Sequence, residues 1–339
     1  MGFLGSYATI LVMLGLTTPP LFANSFGEWQ EQATGGDTAC ARGGDYVFFH
    51  RMVPDSRQLV IDFRGGGACW DSATCGEDSP FFVDTVDKVR DQVTQGLGGI
   101  HQNRVDNPFA GWSGVVLPYC TGDLHMGEND HLYSGQTIQH RGATNTKAVL
   151  AWLGAYSNQF DQVLVAGCSA GAYGSIYWTP HLREIFAGAE VVQLGDCGAG
   201  MMTSQFRDAV LANWQIETNA PSWIPELDPQ TNPWDDFTVD QIYQGIGDFY
   251  PEVRLSQINS AADQTQILFY LGMGGNAFQW SRLMRSSMSS LDDSLANFDY
   301  VIPNSSQHCF ITEDNFFTVK RGDQSLAQWV ASMFLTRHM

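Results

Sequence analysis

The sequence has few basic residues. Lys and Arg number 17 against 36 Asp and Glu, so the formal net charge is −19, and the lysines are Lys88, Lys147 and Lys320. Nucleic acids and anionic membranes attract positively charged surfaces, so we expect no nucleic-acid partner. Charged residues make up 16% of the chain and hydrophobic residues 44%. This composition excludes a disordered chain and suffices for a large core.

Long hydrophobic runs are also missing. The apolar run over residues 7–16 is about half as long as the roughly 20 residues that a membrane span needs. Pro19, Pro20 and the small residue Ala23 follow it, which resembles a signal peptide cleaved after Ala23, although no Lys or Arg precedes the run. We expect a signal peptide over 1–23, a secreted or periplasmic protein, and no stable membrane insertion after cleavage. A single membrane anchor is the alternative.

The cysteines lack the CxxC spacing of zinc ribbons and thioredoxin-type sites. In an exported protein several cysteines should pair, and two that are six residues apart, Cys69 and Cys75, could close a small loop. The odd number leaves at least one thiol unpaired within the chain. The cysteines are Cys40, Cys69, Cys75, Cys120, Cys168, Cys197 and Cys309.

Short β-rich runs alternate with helix-like stretches. Several runs are continuously apolar, as buried parallel strands are. This order predicts an α/β fold with a mostly parallel sheet in a three-layer sandwich, formed by one domain over 24–339. A stretch rich in Trp and Pro at about 198–250 favours a cap-like insertion near the active site, with ordinary surface helices as the alternative. The predicted strands are 46–50, 58–63, 114–120, 163–166, 190–194, 253–258 and 298–302.

The motif Gly167-Cys-Ser-Ala-Gly171 follows one of these apolar runs and precedes a helix-like stretch over Ala170–Phe186. This is the context of a nucleophile elbow, in which small flanking residues permit a very tight strand-to-helix turn. We therefore predict that Ser169 is a catalytic nucleophile. The neighbouring Cys168 occupies a flanking position and is expected only to pack.

A glycine-rich loop, Gly65-Gly66-Gly67-Ala68, follows the run at 58–63. Such loops let backbone N–H groups approach a ligand, and in serine hydrolases they supply one donor of the oxyanion hole. We assign the donors to Gly67 or Ala68 and to Ala170. A phosphate-binding loop is disfavoured because no GK[ST] follows, and a simple tight turn is the remaining alternative.

A serine nucleophile needs a histidine base, and the base needs a carboxylate that orients it. Two histidines follow Ser169 at a useful distance, His308 after the last predicted strand and His338 beside the C-terminus. We predict His308. Asp263 follows the strand at 253–258 and is the predicted acid; Asp196 is the alternative, or else a supporting group.

Residues 125–131 contain side chains of a second class of site, a metal site. His125, Glu128, Asp130 and His131 could belong to a metallohydrolase, but their spacing is not that of HExxH. A polar loop beside the pocket is the favoured interpretation, and we expect no metal and no cofactor.

Taken together, the motifs resemble the pectin acetylesterase / Notum family of secreted carboxylesterases. The resemblance implies an α/β-hydrolase fold without a cofactor, with the triad on Ser169, Asp263 and His308. It also implies the disulfides Cys40–Cys120 and Cys69–Cys75, with Cys197–Cys309 as a further pair. The residues that carry it are 40–49 (CARGGDYVFF), 65–71 (GGGACWD), 118–125 (PYCTGDLH), 167–171 (GCSAG), 195–198 (GDCG), 262–266 (ADQTQ) and 306–309 (SQHC).

These features predict a two-step ester hydrolysis. The resemblance favours removal of acetyl groups from a polysaccharide, so the expected partner is an acylated carbohydrate or another small ester. Trp70, Asp123 and Asp196 are assigned to the substrate pocket. Two alternatives stay open: an esterase acting on longer acyl or aryl esters, and a binding protein on the same fold without catalysis.

Overall fold

The computed structural model describes residues 1–2 and 27–334. Apart from residues 1 and 2, the predicted signal peptide over 1–23 lies outside this part of the chain. The α-helices are α1 Asp87–Gln95, α2 Gly142–Leu153, α3 Ala170–Ile185, α4 Ser204–Trp214, α5 Val239–Phe249, α6 Gln264–Gly272, α7 Ala277–Ser294 and α8 Leu326–Ser332. The strands are β1 Gln30–Ala33, β2 Val47–Arg51, β3 Gln58–Phe63, β4 Ser113–Leu117, β5 Asn129–Tyr133, β6 Gln136–His140, β7 Gln162–Cys168, β8 Glu190–Asp196, β9 Leu255–Ile258, β10 Phe298–Val301, β11 Lys320–Arg321 and β12 Gln324–Ser325.

An eight-stranded sheet forms the centre, in the order β1-β2-β4-β3-β7-β8-β9-β10. All neighbours from β4 to β10 pair in parallel, whereas β1 pairs with β2 and β2 with β4 in antiparallel fashion. The carboxyl ends of parallel strands share one edge of a sheet, where open α/β sheets place their ligands. The segments after β3, β7, β8, β9 and β10 therefore meet at one edge.

The sheet is buried on both faces. Along β7, Val163 and Val165 belong to one hydrophobic cluster, and Leu164 and Ala166 to another. Because successive side chains of a strand point to opposite faces, these clusters lie on the two sides of the sheet. The first contains side chains from α2, α3, α5 and α7, and the second contains side chains from α8 and from residues 309–317. The mostly parallel three-layer arrangement predicted from the sequence is confirmed.

The predicted insertion at about 198–250 contains α4, α5 and three short 3-10 helices, and no strand is described within it. Thr203 and Thr238 cap the two α-helices at their N-termini. Trp214 and Trp234 are buried. The region is helical and packed, and its role as a cap stays a prediction. Over residues 1–2 and 27–334, no helix combines the length and the hydrophobicity that crossing a membrane requires.

Candidate active site

Ser169 stands on a sharp turn between β7 and α3. Its backbone has φ 56° and ψ −122°, a conformation that few non-glycine residues adopt. The turn requires glycine at its flanks: a Cβ on Gly167 would lie 1.9 Å from the carbonyl oxygen of Gly171, and one on Gly171 would lie 1.8 Å from that of Phe63. The resulting geometry is that of a nucleophile elbow, with the half-buried Ser169 lining a cavity.

His308 and Asp263 are in direct contact. Nδ1 of His308 lies 3.0 and 2.9 Å from the two carboxylate oxygens of Asp263. Asp263 is fully buried and also caps α6, where it accepts the backbone N–H of Gln266 at 2.9 Å. Burial acts to raise the pKa of Asp263, but the hydrogen bond and charge of His308 outweigh it and hold the pKa below its usual value. Asp263 is therefore ionised and orients the imidazole.

The other ring nitrogen of His308, Nε2, is not engaged by Asp263. Nε2 is buried and has no hydrogen-bond partner among the described residues, and His308 lines the same cavity as Ser169. Hydrogen bonds between a nucleophile and its base are commonly loose until substrate binds. With Nδ1 held by Asp263, Nε2 is left to accept a proton. The alternative base His338 lies outside the described residues.

The glycine loop supplies one backbone donor to the site. Gly67 forms a bridge with Phe82, in which Ala68 N–H donates to the carbonyl of Phe81 (3.0 Å) and Val83 N–H donates to that of Gly66 (2.8 Å). In this pattern the N–H of Gly67 points away from the bridge. The structure therefore contradicts Ala68 as an oxyanion donor, because its N–H is already bonded, and it leaves Gly67.

Ala170 provides the second donor position. It is the first residue of α3, so its N–H has no acceptor within the helix and lies at the positive end of the helix dipole. Both Gly67 and Ala170 line the cavity of Ser169. The two N–H groups can share the negative charge that develops on an ester oxygen.

Gly67→Ala tests this donor. Gly67 has φ +81°, and an added Cβ would lie 1.9 Å from the carbonyl oxygen of Phe81, so the loop must shift. We expect kcat for p-nitrophenyl acetate to fall about 10²–10³-fold, the effect of losing one oxyanion donor. Gly43→Ala is the matched control, since Gly43 has φ +87° and open space around it. Equal activity in the two variants would remove Gly67 from the site.

Asp196 occupies neither the position of the acid nor the cavity wall, and of its predicted roles the supporting group remains. Its buried carboxylate accepts the N–H groups of Phe310 and Ile311, at 2.6 and 2.8 Å, and does not line the cavity. Burial raises the pKa of Asp196 to about 6, against the lowering effect of these bonds. The predicted pocket role of Asp196 is therefore wrong, and the contact with His308 belongs to Asp263.

The other two pocket predictions are also corrected. Trp70 lies behind the cavity wall, where its ring packs edge-on against Phe206, with centroids 5.0 Å apart. Asp123 is buried away from the cavity and accepts Gly142 N–H at 2.7 Å and the hydroxyl of Thr121 at 2.6 Å. It fixes the start of α2. Trp70 and Asp123 therefore occupy buried structural positions and do not form the surface of the pocket.

Disulfides surround the site. Cys40–Cys120 and Cys69–Cys75 are bonded, as the family resemblance implied. The third bond joins Cys168 to Cys309, so the residue before Ser169 is linked to the residue after His308. The expected pair Cys197–Cys309 and the packing role of Cys168 are wrong. Cys197 is a buried free thiol whose sulfur accepts the N–H of Cys309 at 2.9 Å.

Apolar side chains form most of the cavity wall, and sequence reasoning missed them. They come from the segment before β5, from α3, from α4 and the segment before it, from α6 and the residue after it, and from α7. No catalytic motif marks them in the sequence. The cavity has an empty volume of about 580 Å³ including its mouth. These residues are Leu124, Tyr173, Met201, Met202, Phe206, Phe269, Met273 and Trp280.

A second opening reaches Ser169 and His308 from another side. This groove has an empty volume of about 1000 Å³, including open solvent, and its lining is mixed. It passes the glycine loop, and its polar side chains include Lys88, Gln92, Thr312 and Glu313, beside apolar ones such as Phe81 and Val89. Ser169 and His308 thus line both a mostly apolar cavity and an open groove of mixed polarity.

The candidate metal ligands do not come together. His125 Nε2 bonds the carbonyl of Arg64 at 2.9 Å, Asp130 pairs with Arg141, and Glu128 pairs with Lys147. Among the described residues, the groups close enough to share a metal ion contain none of the four candidates, and each group includes a disulfide-bonded cysteine. Residues 125–131 are a hydrogen-bonded structural segment beside the cavity.

Comparisons with known proteins give a family match. The sequence model of a family described as pectinacetylesterase matches residues 31–214. Pectin acetylesterase 7 from Arabidopsis thaliana is 29% identical over 129 residues, which are 37% of this chain and 32% of that protein. Pectin acetylesterase 11 from the same plant is 25% identical over 171 residues, 49% of this chain and 42% of that protein. The matches thus span less than half of these curated relatives.

A solved structure extends the comparison to nearly the whole chain. The Wnt deacylase Notum from Drosophila, in its crystal form II, superposes with a TM-score of 0.68 and 18% sequence identity, covering 90% of this chain and 92% of that one. The superposition, with the mostly parallel sheet, confirms the predicted α/β-hydrolase fold.

Proposed function

The chain belongs to the pectinacetylesterase family, and from that premise we propose that it is an exported serine carboxylic-ester hydrolase. Its preferred substrate is an acetyl or other short acyl ester of a bulky, polar alcohol such as a polysaccharide. The observation that carries the proposal is the placement of His308, which is bonded to Asp263 on one side and faces the cavity of Ser169 on the other.

The proposed reaction begins with attack of Ser169 Oγ on the ester carbonyl carbon, while Nε2 of His308 takes the hydroxyl proton. Asp263 holds the imidazole in the required tautomer and stabilises its charged form. The N–H groups of Gly67 and Ala170 bind the oxyanion, and each is worth about 3 kcal/mol of barrier.

The tetrahedral intermediate collapses when the C–O bond to the alcohol breaks and His308 returns its proton to the leaving oxygen. Water then attacks the acyl-serine, with His308 again taking a proton. Collapse of this second intermediate releases the carboxylic acid and restores the Ser169 hydroxyl. Each proton passes through Nε2, and the reaction uses only groups of this chain and water.

The two openings favour a short acyl group and a large alcohol. Leu124, Tyr173, Met202 and Phe206 are among the side chains that line the apolar cavity. The groove is open to solvent and carries polar side chains, among them Lys88, Gln92 and Glu313, beside apolar ones. A sugar can therefore occupy the groove while its acyl group enters the cavity.

A further cavity supports a second candidate function, the hydrolysis of esters with longer acyl chains. Adjacent to Met202 and Phe206 is a small apolar space with room for about one water molecule, lined by the same four side chains and by others such as Val210 and Ile242. Movement of Met202 would join this space to the active-site cavity. The combined cavity would suit a longer acyl chain.

A series of p-nitrophenyl esters with acyl chains of two to twelve carbons separates the candidates. We expect kcat/KM to be highest for acetyl and at least about tenfold lower at eight carbons. Met202→Ala should raise the relative rate of the eight-carbon ester. Met201→Ala is its matched control, since Met201 lines only the first cavity. A wild-type optimum at eight carbons or more would replace the short-acyl proposal with the second candidate.

The alcohol is tested by release of acetate from acetylated polysaccharides. A neutral and an acidic polymer should be compared at low and high salt, because the net charge of −19 opposes an anionic substrate at low salt. Acetate release from either polymer supports a carbohydrate substrate. Hydrolysis of p-nitrophenyl acetate without release from any polymer would restrict the proposal to small esters.

A further inference from the structure

The three backbone N–H groups that follow the catalytic histidine, those of residues 309–311, donate hydrogen bonds to the side chains of Asp196 and Cys197. Cys309 N–H donates to Sγ of Cys197 at 2.9 Å, and Phe310 and Ile311 N–H both donate to Oδ2 of Asp196, at 2.6 and 2.8 Å. Asp196 and Cys197 are also bonded to each other, since the thiol of Cys197 donates to Oδ1 of Asp196 at 3.3 Å. The segment that carries His308 is therefore held by the end of β8.

The same dipeptide binds the other two parts of the triad. Ser169 N–H donates to the carbonyl of Asp196 at 2.8 Å, which fixes the elbow. Cys197 N–H donates to the carbonyl of Ile258 at 2.7 Å, at the end of β9, and the turn after β9 carries Asp263. Asp196–Cys197 thus touches the segments of the nucleophile, the base and the acid.

We propose that Asp196 is a positioning residue for the hydrolase reaction, acting through the segment 309–311 to fix His308 against Ser169. The proposal rests on the serine-hydrolase function proposed above. Asp196 is fully buried and lines neither opening, so it does not touch substrate. Its effect must pass through His308 and Ser169.

The positioning depends on the negative charge of Asp196. An ionised oxygen that accepts two N–H groups binds them about twice as strongly as a neutral one. Burial raises the pKa of this carboxyl to about 6, while the N–H groups of Ile311 and Phe310, the Cys197 thiol and the charge of His308 act to lower it. Cys197 and His308 are the titratable groups that face it. The carboxylate is therefore mostly ionised at neutral pH and becomes protonated as the pH falls through about 6.

This charge costs stability. A folded-state pKa above the usual aspartate value means that the folded protein binds the proton more tightly than the unfolded chain does. Stability contributed by this group is therefore lost as the pH rises from the ordinary aspartate pKa to about 6. A purely structural role does not require the charge, since a neutral amide fits the same volume. A role in catalysis would explain why a charged aspartate occupies this position.

Asp196→Asn is the direct test. At pH 8 we expect kcat for p-nitrophenyl acetate to fall about 10- to 100-fold with KM within about twofold, because a small displacement of a catalytic group has this effect. The unfolding temperature at pH 8 should not fall. A merely structural residue would give the opposite result, a lower unfolding temperature with unchanged kcat.

The pH profile supplies a readout that folding does not move. The proposal requires an ionised Asp196 for full activity, so log kcat of the wild type should fall more steeply in acid than log kcat of Asp196→Asn. The slope of the acid limb should therefore be smaller in Asp196→Asn than in the wild type. Asp240→Asn is the matched control: the pKa of Asp240 is also raised by burial, but its carboxylate contacts Ser287 on α7. That variant should keep the wild-type slope and kcat.

Cys197 gives an independent pair of variants if Asp196→Asn does not fold. Cys197→Ala removes the acceptor of Cys309 N–H and a donor to Asp196, whereas Cys197→Ser replaces both. We expect Cys197→Ala to lower kcat and Cys197→Ser to recover most of it. Equal kcat in both variants, or wild-type kcat and slope in Asp196→Asn, would overturn the proposal.

Failure of the underlying function gives a different pattern. If Ser169→Ala kept full activity, the serine mechanism would fail whatever Asp196 does. If Ser169→Ala were inactive while Asp196→Asn matched the wild type, only the positioning role would fail.

Discussion

Ser169→Ala is expected to lower kcat for p-nitrophenyl acetate by at least about 10⁴-fold, the range seen when a triad serine is removed. The hydroxyl is the only part of the side chain that is lost, and it has no bond that the fold depends on. The elbow is held instead by its backbone, through Ser169 N–H to Asp196 and Ala172 N–H to the Ser169 carbonyl. The unfolding temperature should therefore stay at the wild-type value.

The control for Ser169→Ala is the thiol that lines the same cavity. Cys197 lines the cavity together with Ser169, but burial raises the pKa of Cys197 well above the usual thiol value, so it is a neutral, weak nucleophile. Ser169→Ala should lose activity while a Cys197→Ser variant retains most of it. Persistence of wild-type turnover in Ser169→Ala would place the nucleophile elsewhere.

Asp263→Asn is expected to lower kcat at pH 7 by about 10⁴-fold, as amide replacement of a triad acid does in other hydrolases. An asparagine can donate its amide hydrogen to Nδ1, which would place the imidazole proton on Nε2. A protonated Nε2 cannot accept the hydroxyl proton of Ser169. Asn also caps helices as well as Asp does, so α6 should keep its N-terminus. Far-UV circular dichroism and the kcat profile measure the two effects separately.

The comparison variant for Asp263→Asn is Asp196→Asn, since both replace a fully buried carboxylate beside the site. Only Asp263 contacts Nδ1 of His308, so its replacement should be at least about tenfold more damaging. If the two losses were reversed, the assignment of the acid would move to Asp196. Equal wild-type rates in both would contradict the triad.

Much of the fold follows from hydrophobic pattern. All seven strands predicted from apolar runs occur in the central sheet, because buried parallel strands have a strong sequence signal. Strand β1 was missed since its sequence, QEQA, is polar and mostly exposed at the edge of the sheet. The hairpin β5–β6 was missed for the same reason: most of its residues are polar and partly exposed.

The proximity of Ser169, Asp263 and His308 could be predicted because topology sets where these residues lie. Parallel strands bring their carboxyl ends to one edge, so residues after β7, β9 and β10 must lie close together. The donor assignment could not be completed from the sequence. Whether Gly67 or Ala68 has a free N–H depends on a bridge to residues 81–83, which no local pattern of the glycine loop indicates.

The cysteine pairing around the site was equally beyond sequence reasoning. Cys168, Cys197 and Cys309 all lie near the catalytic residues, and the bond is decided by a Cα–Cα distance of 5.9 Å between Cys168 and Cys309. Chain order carries no information on such distances. The GDCG motif contains Asp196, but its proposed role depends on two N–H groups more than 100 residues away.

The most direct measurement is mass spectrometry of the protein after reaction with a fluorophosphonate, followed by digestion. The account predicts one adduct, on Ser169, formed at a rate that falls sharply in His308→Ala and in Asp263→Asn. An adduct on another residue would contradict the assigned nucleophile. No adduct on protein that also fails to hydrolyse p-nitrophenyl acetate would contradict the enzyme and favour a binding protein on the same fold.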